Sequence, residues 1–253
     1  MSEVGDGFWV RSLAETYRAG GHIPRHDHPW GQLAYATRGV LRVMTPEAVW
    51  IAPPTRAIWL PPYRPHEIFM QGETAMRTLY IDPVSAEPLP KSEAVLEVAP
   101  LLRELILHIL KIGMLGPGAT AHERLAGLLI DLLVQARPQD LSLPWPRDRR
   151  ARALAERLQS DPGQPGGLAG QAQGAGASLR TLQRLFPAET GLTLEAWRQK
   201  ARLIAAVGQL SGGAAVTTTA LDCGYDSPSA FITAFKRQFG VTPGRYRPAG
   251  ASG

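Results

Sequence analysis

Apolar residues over positions 8–83 fall in short β-rich runs, such as 32–36 (QLAYA), 40–44 (VLRVM) and 57–60 (AIWL). Pro24, Gly39, Pro53, Pro54, Pro61, Pro62, Pro65 and Gly72 separate them at roughly eight- to twelve-residue intervals, which predicts many short strands in a sandwich or small barrel. Residues 84–92 are proline-rich and read as a connection. From 93 to 112 the period becomes helical, with Val95, Val98, Leu101, Leu102, Leu105, Ile109 and Ile112 near one face. A Gly-Pro-Gly break precedes a second helix over about 121–137, carrying Leu125, Leu128, Leu129, Leu132 and Leu133. Two such helices need a partner surface: the β region, each other, or a second copy of the chain. Residues 138–146 hold three prolines and no periodicity and predict a linker. Beyond it, helices are expected over 149–160, 168–175, 178–188, 194–210, 216–222 and 228–239.

One of these helices fits its place poorly. In the 168–175 segment Gly170 and Gly174 are expected inside the helix, and each costs ~0.8–1 kcal/mol relative to Ala. Gly163, Gly166 and Gly167 precede it. The segment reads as marginal, and the pair Gly170→Ala with Gly174→Ala is expected to stabilise it.

Charge separates the two halves. The chain of 253 residues carries 27 Lys+Arg and 22 Asp+Glu. Residues 1–146 hold 13 and 15 of these, and residues 147–253 hold 14 and 7, balances of −2 and +7. All six histidines lie in the first part. The basic C-terminal part points to a polyanion or to a solubilising surface. The single cysteine, Cys223, excludes an internal disulfide and suits a reducing cytoplasm; it reads as a small buried hydrophobe. No apolar run approaches the ~18 residues of a membrane span, so no membrane partner is expected.

The helix after Ser178 has Leu182, Leu185 and Phe186 on one side and Arg180, Gln183 and Arg184 on the other. Ser178 is a good N-cap, and Gly191 follows the helix end. Arg pairs with guanine and Gln with adenine in the major groove; an ordinary amphipathic helix gives the same pattern. A short helix and a Gly176 turn come before it, the helix-turn-helix layout. The layout recurs with 216–222, a Gly224 turn, and a second helix capped by Ser227 with Pro228 behind it. There Phe231, Phe235 and Phe239 line one side. The helix between the units spans roughly 25 Å at 1.5 Å per residue, close enough to the ~34 Å between successive major-groove faces to place two readers on one duplex.

The ordered residues Leu182-Gln-Arg-Leu-Phe, Glu189-Thr-Gly, Trp197-Arg-Gln, Ala220-Leu-Asp-Cys-Gly-Tyr-Asp-Ser, Phe235-Lys-Arg-Gln-Phe-Gly and Thr242-Pro-Gly-Arg-Tyr-Arg resemble the AraC/XylS family of transcription regulators over about 165–247. The resemblance implies double-stranded DNA as partner. It places Arg180, Thr181, Gln183 and Arg184 in the first reader and Ser227, Ser229, Thr233, Lys236 and Arg237 in the second. Pro228 and Ala230 stand where relatives carry long polar residues.

Gly20, His26, His28, Gln32 and Gly39, with His66 after Pro61-Pro-Tyr-Arg-Pro, resemble the two short motifs of the cupin superfamily. On a strand, His26 and His28 point to one face. With His66 they make a set suited to one divalent zinc, nickel or iron ion. Many metal-binding cupins have Glu where this chain has Gln32, a weaker neutral ligand. Metal binding, a metal-free effector pocket and a purely structural role all stay open. Trp30, Tyr35, Trp50 and Trp59 are candidates to line an apolar pocket, or core residues. The stretch from Thr45 to Pro62, with 76–80 (MRTLY), resembles the cupin part of an AraC subgroup whose members often control a neighbouring exporter gene.

The fold class expected is α+β and multidomain: a cupin-like β-barrel over 1–92, a helical dimerisation segment over 93–137, a linker over 138–147, and an all-α domain with two helix-turn-helix units over 148–253. The expected function is a cytoplasmic, homodimeric, sequence-specific DNA-binding regulator, activator or repressor, whose cupin-like part senses a small molecule or metal and which catalyses nothing. The alternative is a cupin-type metal-dependent oxygenase or isomerase fused to a basic helical module.

Overall fold

A computed structural model describes residues 7–164 and 167–247. Its contacts divide the chain into two units, residues 1–45 with 50–141, and residues 46–49 with 142–253. Among the described residues seven strands come first: β1 (Val10–Tyr17), β2 (His22–His26), β3 (Gly31–Met44), β4 (Ala48–Ala52, whose first two residues count with the second unit), β5 (Arg56–Leu60), β6 (His66–Ile81) and β7 (Ala94–Glu97). Helix α1 (Pro100–Ile112), the two-residue strand β8 (Met114–Leu115), helix α2 (Thr120–Gln135) and the short strand β9 (Pro138–Gln139) follow. The main path of the sheet runs β8-β1-β6-β3-β5-β7-β9, and each pairing that follows is antiparallel.

Gly39 and Gly72 do not end strands as expected; they lie inside the long strands β3 and β6. Both have positive φ, and the β3–β6 register shifts on either side of Arg38. The strands bend there without stopping. Residues 94–97, expected as the start of a helix, instead form β7 against β5, with Arg56 opposite Glu97 and Trp59 opposite Ala94. Pro100 at the first helical turn sets the later start of α1.

The helices find their partner surface in the same chain. Leu102, Leu105, Ile106 and Ile109 of α1 and Ala126, Leu129 and Leu133 of α2 join Leu33, Tyr35, Trp59, Leu79 and Ile81 of the sheet in one buried cluster. The sheet face, alternating apolar inward, thus takes the apolar stripe of each helix. Leu101, Leu128 and Val134 remain exposed.

The segment expected as a linker carries β9 and the three-residue strand β10 (Ser142–Pro144). In the second unit the Trp145 amide donates to the Glu47 carbonyl at 2.8 Å, and the Trp197 indole donates to the Pro144 carbonyl at 2.7 Å. Among the described residues six helices follow: α3 (Arg149–Ser160), α4 (Leu168–Gln173), α5 (Leu179–Thr190), α6 (Leu194–Ser211), α7 (Val216–Asp222) and α8 (Pro228–Phe239), then a 3-10 turn, Pro243–Tyr246. The fold is α+β, an antiparallel sheet with helices followed by an all-α region. Among the described residues, no helix is long and apolar enough to cross a membrane.

Helix ends in this unit follow local chemistry. Ser178 and Ser227 accept the amides of Thr181 and Ala230, both at 3.2 Å, as N-caps do. Gly191 and Gly240 close α5 and α8 in the left-handed conformation. Helix α4 is shorter than expected: Gly170 lies within it, but Gly174 is its C-cap. Gly166, also part of that expectation, lies outside the described residues.

Candidate metal centre and nucleic-acid interface

His26 ends β2 and His66 opens β6, and antiparallel pairing sets them opposite each other. His28 lies past the end of β2, so strand alternation is not what aims it. Its backbone carbonyl accepts the Tyr63 amide at 2.8 Å, from the proline-bounded loop that precedes His66. One ligand nitrogen from each of the three rings lies within 4.8 Å of the others. His28 and His66 are buried and His26 is half-buried.

Backbone carbonyls lock all three rings. Nδ1 of His26 bonds Pro24 O at 2.8 Å, Nδ1 of His28 bonds Trp30 O at 2.7 Å, and Nδ1 of His66 bonds Arg64 O at 2.7 Å. A carbonyl only accepts, so each Nδ1 carries the hydrogen and each neutral ring keeps its Nε2 lone pair. Burial, above all, lowers the pKa of His28, and it lowers that of His66 to about 4. Nε2 of His66 is buried with no hydrogen-bond partner among the described residues.

Gln32, on β3, completes the set. Its Nε2 donates to Thr78 Oγ1 at 3.1 Å, and that hydroxyl donates to Leu33 O, also at 3.1 Å. The amide is thereby oriented with Oε1 toward His28 Nε2, 3.2 Å away. Two acceptors face each other there without a hydrogen between them. Three imidazole lone pairs and an amide oxygen without a donor among them fit a cation.

The proposed pocket aromatics are placed differently. Tyr35 and Trp59 belong to the core cluster beneath α1 and α2, and the Trp59 indole donates to Pro90 O at 2.8 Å. Trp30 is buried under the Arg11 guanidinium, 4.9 Å from the ring centre. Trp50 is half-buried, with its indole toward Thr45 Oγ1 at 3.4 Å. Tyr35 and Trp59 are thus core packing and not pocket walls, because the two helices cover that face of the sheet; Trp30 is buried apart from that cluster. A groove of about 320 Å³ lies elsewhere in this unit, lined by Trp9, Val10, Ala126 and Ile130 with Glu123 and Asp131. Nothing in the spacing of those residues announced it, since β1 and α2 meet only in the folded chain.

In the second unit, Arg180, Gln183 and Arg184 are exposed along α5, opposite buried Leu182, Leu185 and Phe186. Among the described residues none of the three is bonded to another side chain. Thr181 is half-buried, its hydroxyl 2.9 Å from the capping Ser178 Oγ. On α8, Ser229, Thr233, Lys236 and Arg237 are exposed, whereas the Ser227 hydroxyl serves the helix cap. The Thr233 hydroxyl donates to the Ser229 carbonyl at 3.0 Å. One exposed neighbour escaped the sequence pattern: Ile232, 37% exposed, stands among these polar residues. Trp197 and Tyr225 are ring-packed anchors, on Phe186 and Phe231 respectively.

Two family models match the chain, one over each part. Residues 11–161 match the model of an AraC-like ligand binding domain, and residues 171–249 that of a helix-turn-helix domain. The chain is 36% identical to the HTH-type transcriptional regulator NimR of Escherichia coli over 223 residues, 88% of this chain and 81% of that protein. Among solved structures, ToxT of Vibrio cholerae matches over 94% of this chain and 96% of its own, with 11% identity and a TM-score of 0.40. The DNA-binding domain of the global transcriptional factor AdpA, in complex with a target DNA, covers 40% of this chain and 90% of its own, at 32% identity and a TM-score of 0.36.

Proposed function

Because the chain belongs to the AraC family of DNA-binding transcription regulators, with an AraC-like ligand-binding domain, we propose that it reads one operator with two helices and responds to a divalent metal held by its first unit. A regulator of this family is not an enzyme, which disposes of the oxygenase or isomerase alternative. Helices α5 and α8 enter successive major grooves. Arg180, Gln183 and Arg184 contact bases and backbone, Thr181 supports them, and Ser227, Ser229, Thr233, Lys236 and Arg237 serve the second half-site. The exposed, unpaired trio on α5 supports this assignment.

The metal is zinc, nickel or iron(II), held by Nε2 of His26, His28 and His66 with Gln32 Oε1 as a fourth ligand. The observation that carries this is the convergence of lone pairs, with Nε2 of His66 buried and unpartnered among the described residues. A neutral ligand set leaves the ion its full charge, and displacement of the weaker Gln32 ligand would open a position for an effector molecule. The protein acts in the cytoplasm as a homodimer, and exposed Leu101, Leu128 and Val134 on α1 and α2 support pairing through those helices. Its target is a neighbouring exporter gene.

Metal analysis of the purified protein tests the sensor. About one divalent ion per chain is expected, falling to near zero in His28→Ala. Metal content near zero in the parent, with an effector response retained, replaces the metal site with a metal-free pocket.

A further inference from the structure

The two reading helices differ in chemistry. The first two turns of α5 carry Arg180, Gln183 and Arg184, each able to hydrogen-bond a base edge. The corresponding turns of α8, residues 228–235 (PSAFITAF), contain no Arg, Lys, Asn, Gln, Asp or Glu. Recognition helices enter the groove with their N-terminal residues, so this is the part of α8 that meets base edges. What it exposes there is Ser229, Ala230, Ile232 and Thr233. The Thr233 hydroxyl hydrogen is committed to the Ser229 carbonyl, which leaves its γ-methyl as a contact group. The Ser227 hydroxyl accepts the Ala230 amide. Phe231, Ala234 and Phe235 are buried, so the aromatic stripe is occupied by the domain's own core. Ile232, a branched apolar side chain on the outward surface, has no such use.

The apolar feature of the major-groove edges is the thymine 5-methyl group. We propose that α8 selects its half-site chiefly by thymine methyl groups packed on Ile232, with the Thr233 γ-methyl beside it, and not by the bidentate hydrogen bonds that Arg or Gln makes to a base edge; the exposed Ser229 hydroxyl is left for a single, less selective contact. This rests on the assignment of α8 as a groove reader. Lys236, a turn further on and exposed, supplies charge for phosphate without base preference. The two half-sites are thus read by different forces: hydrogen bonding at α5, methyl burial at α8.

The test uses the full chain. Duplexes bound by it are recovered from a random DNA library and sequenced, and each thymine of the recovered site is replaced in turn by deoxyuridine, which lacks only the methyl group. Gln183→Ala marks the α5 end by relaxing base preference there. At the other end, one or two thymine-to-uracil changes are expected to weaken binding about fourfold each, the worth of one buried methyl-sized group. Ile232→Ala should bind the thymine and uracil duplexes alike, and Ile232→Val should keep part of the discrimination. Ile232 is on the surface, so unchanged thermal melting is expected in both variants. If every thymine tolerates uracil, or Ile232→Ala still distinguishes the two, methyl readout is wrong; Ile232 then belongs to a protein contact. Failure to enrich any sequence overturns the groove-reading assignment itself, and the proposal with it.

Discussion

Gly39 and Gly72 share a positive φ, 79° and 77°, but not their surroundings. A Cβ on Gly39 meets Thr74 Oγ1 at 2.4 Å and the Glu73 carbonyl at 2.6 Å, whereas one on Gly72 meets nothing within 4 Å. Gly72→Ala should therefore cost only the left-handed backbone term, about 1–2 kcal/mol. Gly39→Ala should cost more, since β6 has to move away from β3. Urea midpoints of the two variants compare them directly, and equal losses would show that the close approach carries no energy. Cys223 makes a second residue-scale case. It is fully buried, and burial pushes its thiol pKa up to about 12. A thiolate is the reactive form, so the native protein at pH 8 should resist thiol reagents and release one reactive group when denatured. Rapid labelling of the native protein would contradict the structural role expected for it.

At the scale of elements, α4 shows how a cap changes a prediction. Gly170 lies inside the helix with open space around its missing Cβ. Gly170→Ala should stabilise the protein by up to ~1 kcal/mol. Gly174 is different, because it caps the helix, and a Cβ there falls 2.1 Å from Arg157 Nη1. The same guanidinium donates through Nη2 to the Gln171 carbonyl at 2.6 Å, tying α3 to α4. Gly174→Ala should displace that side chain and lower the melting midpoint, so the paired substitution loses what Gly170→Ala gains. A higher midpoint for Gly174→Ala would show that Arg157 relocates freely. The sequence placed α5 and α8 well because caps act within three or four residues: Ser178 to Thr181, Ser227 to Ala230. It misplaced 94–97, whose strand state depends on β5, some 40 residues earlier.

For the whole molecule, the boundary at 141/142 matters more than the proline pattern suggested. Trp145 and Trp197 pack with ring centres 6.2 Å apart, and the Arg152 guanidinium lies 3.9 Å over the Trp145 ring. Leu143 and Trp145 thus belong to the core of the helical unit and anchor the stretch 142–147 to it. A fragment of residues 142–253 should outlast one of 148–253 in thermal or urea melts by roughly 3 kcal/mol or more, the usual worth of a large buried aromatic. Identical stability would return 142–147 to the status of a linker. The longer fragment should bind DNA with affinity falling steeply as salt rises, since Lys and Arg contacts release counterions. Residues 1–141 should not bind; if they shift DNA and 142–253 does not, the assignment of α5 and α8 fails.

The sequence alone determined the helical unit, its charge and its family resemblance, because helix periodicity, caps and ordered motifs are local properties of the chain. It also nominated His26, His28, His66 and Gln32 as a set. Only the tertiary structure decided how they meet. His26 faces His66 through strand pairing, His28 is aimed by contacts from residues 30 and 63, and Thr78 turns the Gln32 oxygen inward. It likewise decided that Tyr35 and Trp59 are core, since α1 and α2 cover them, and that Ile232 is left uncovered among polar neighbours. Burial and convergence arise from contacts between residues tens of positions apart, which no local pattern along the chain encodes.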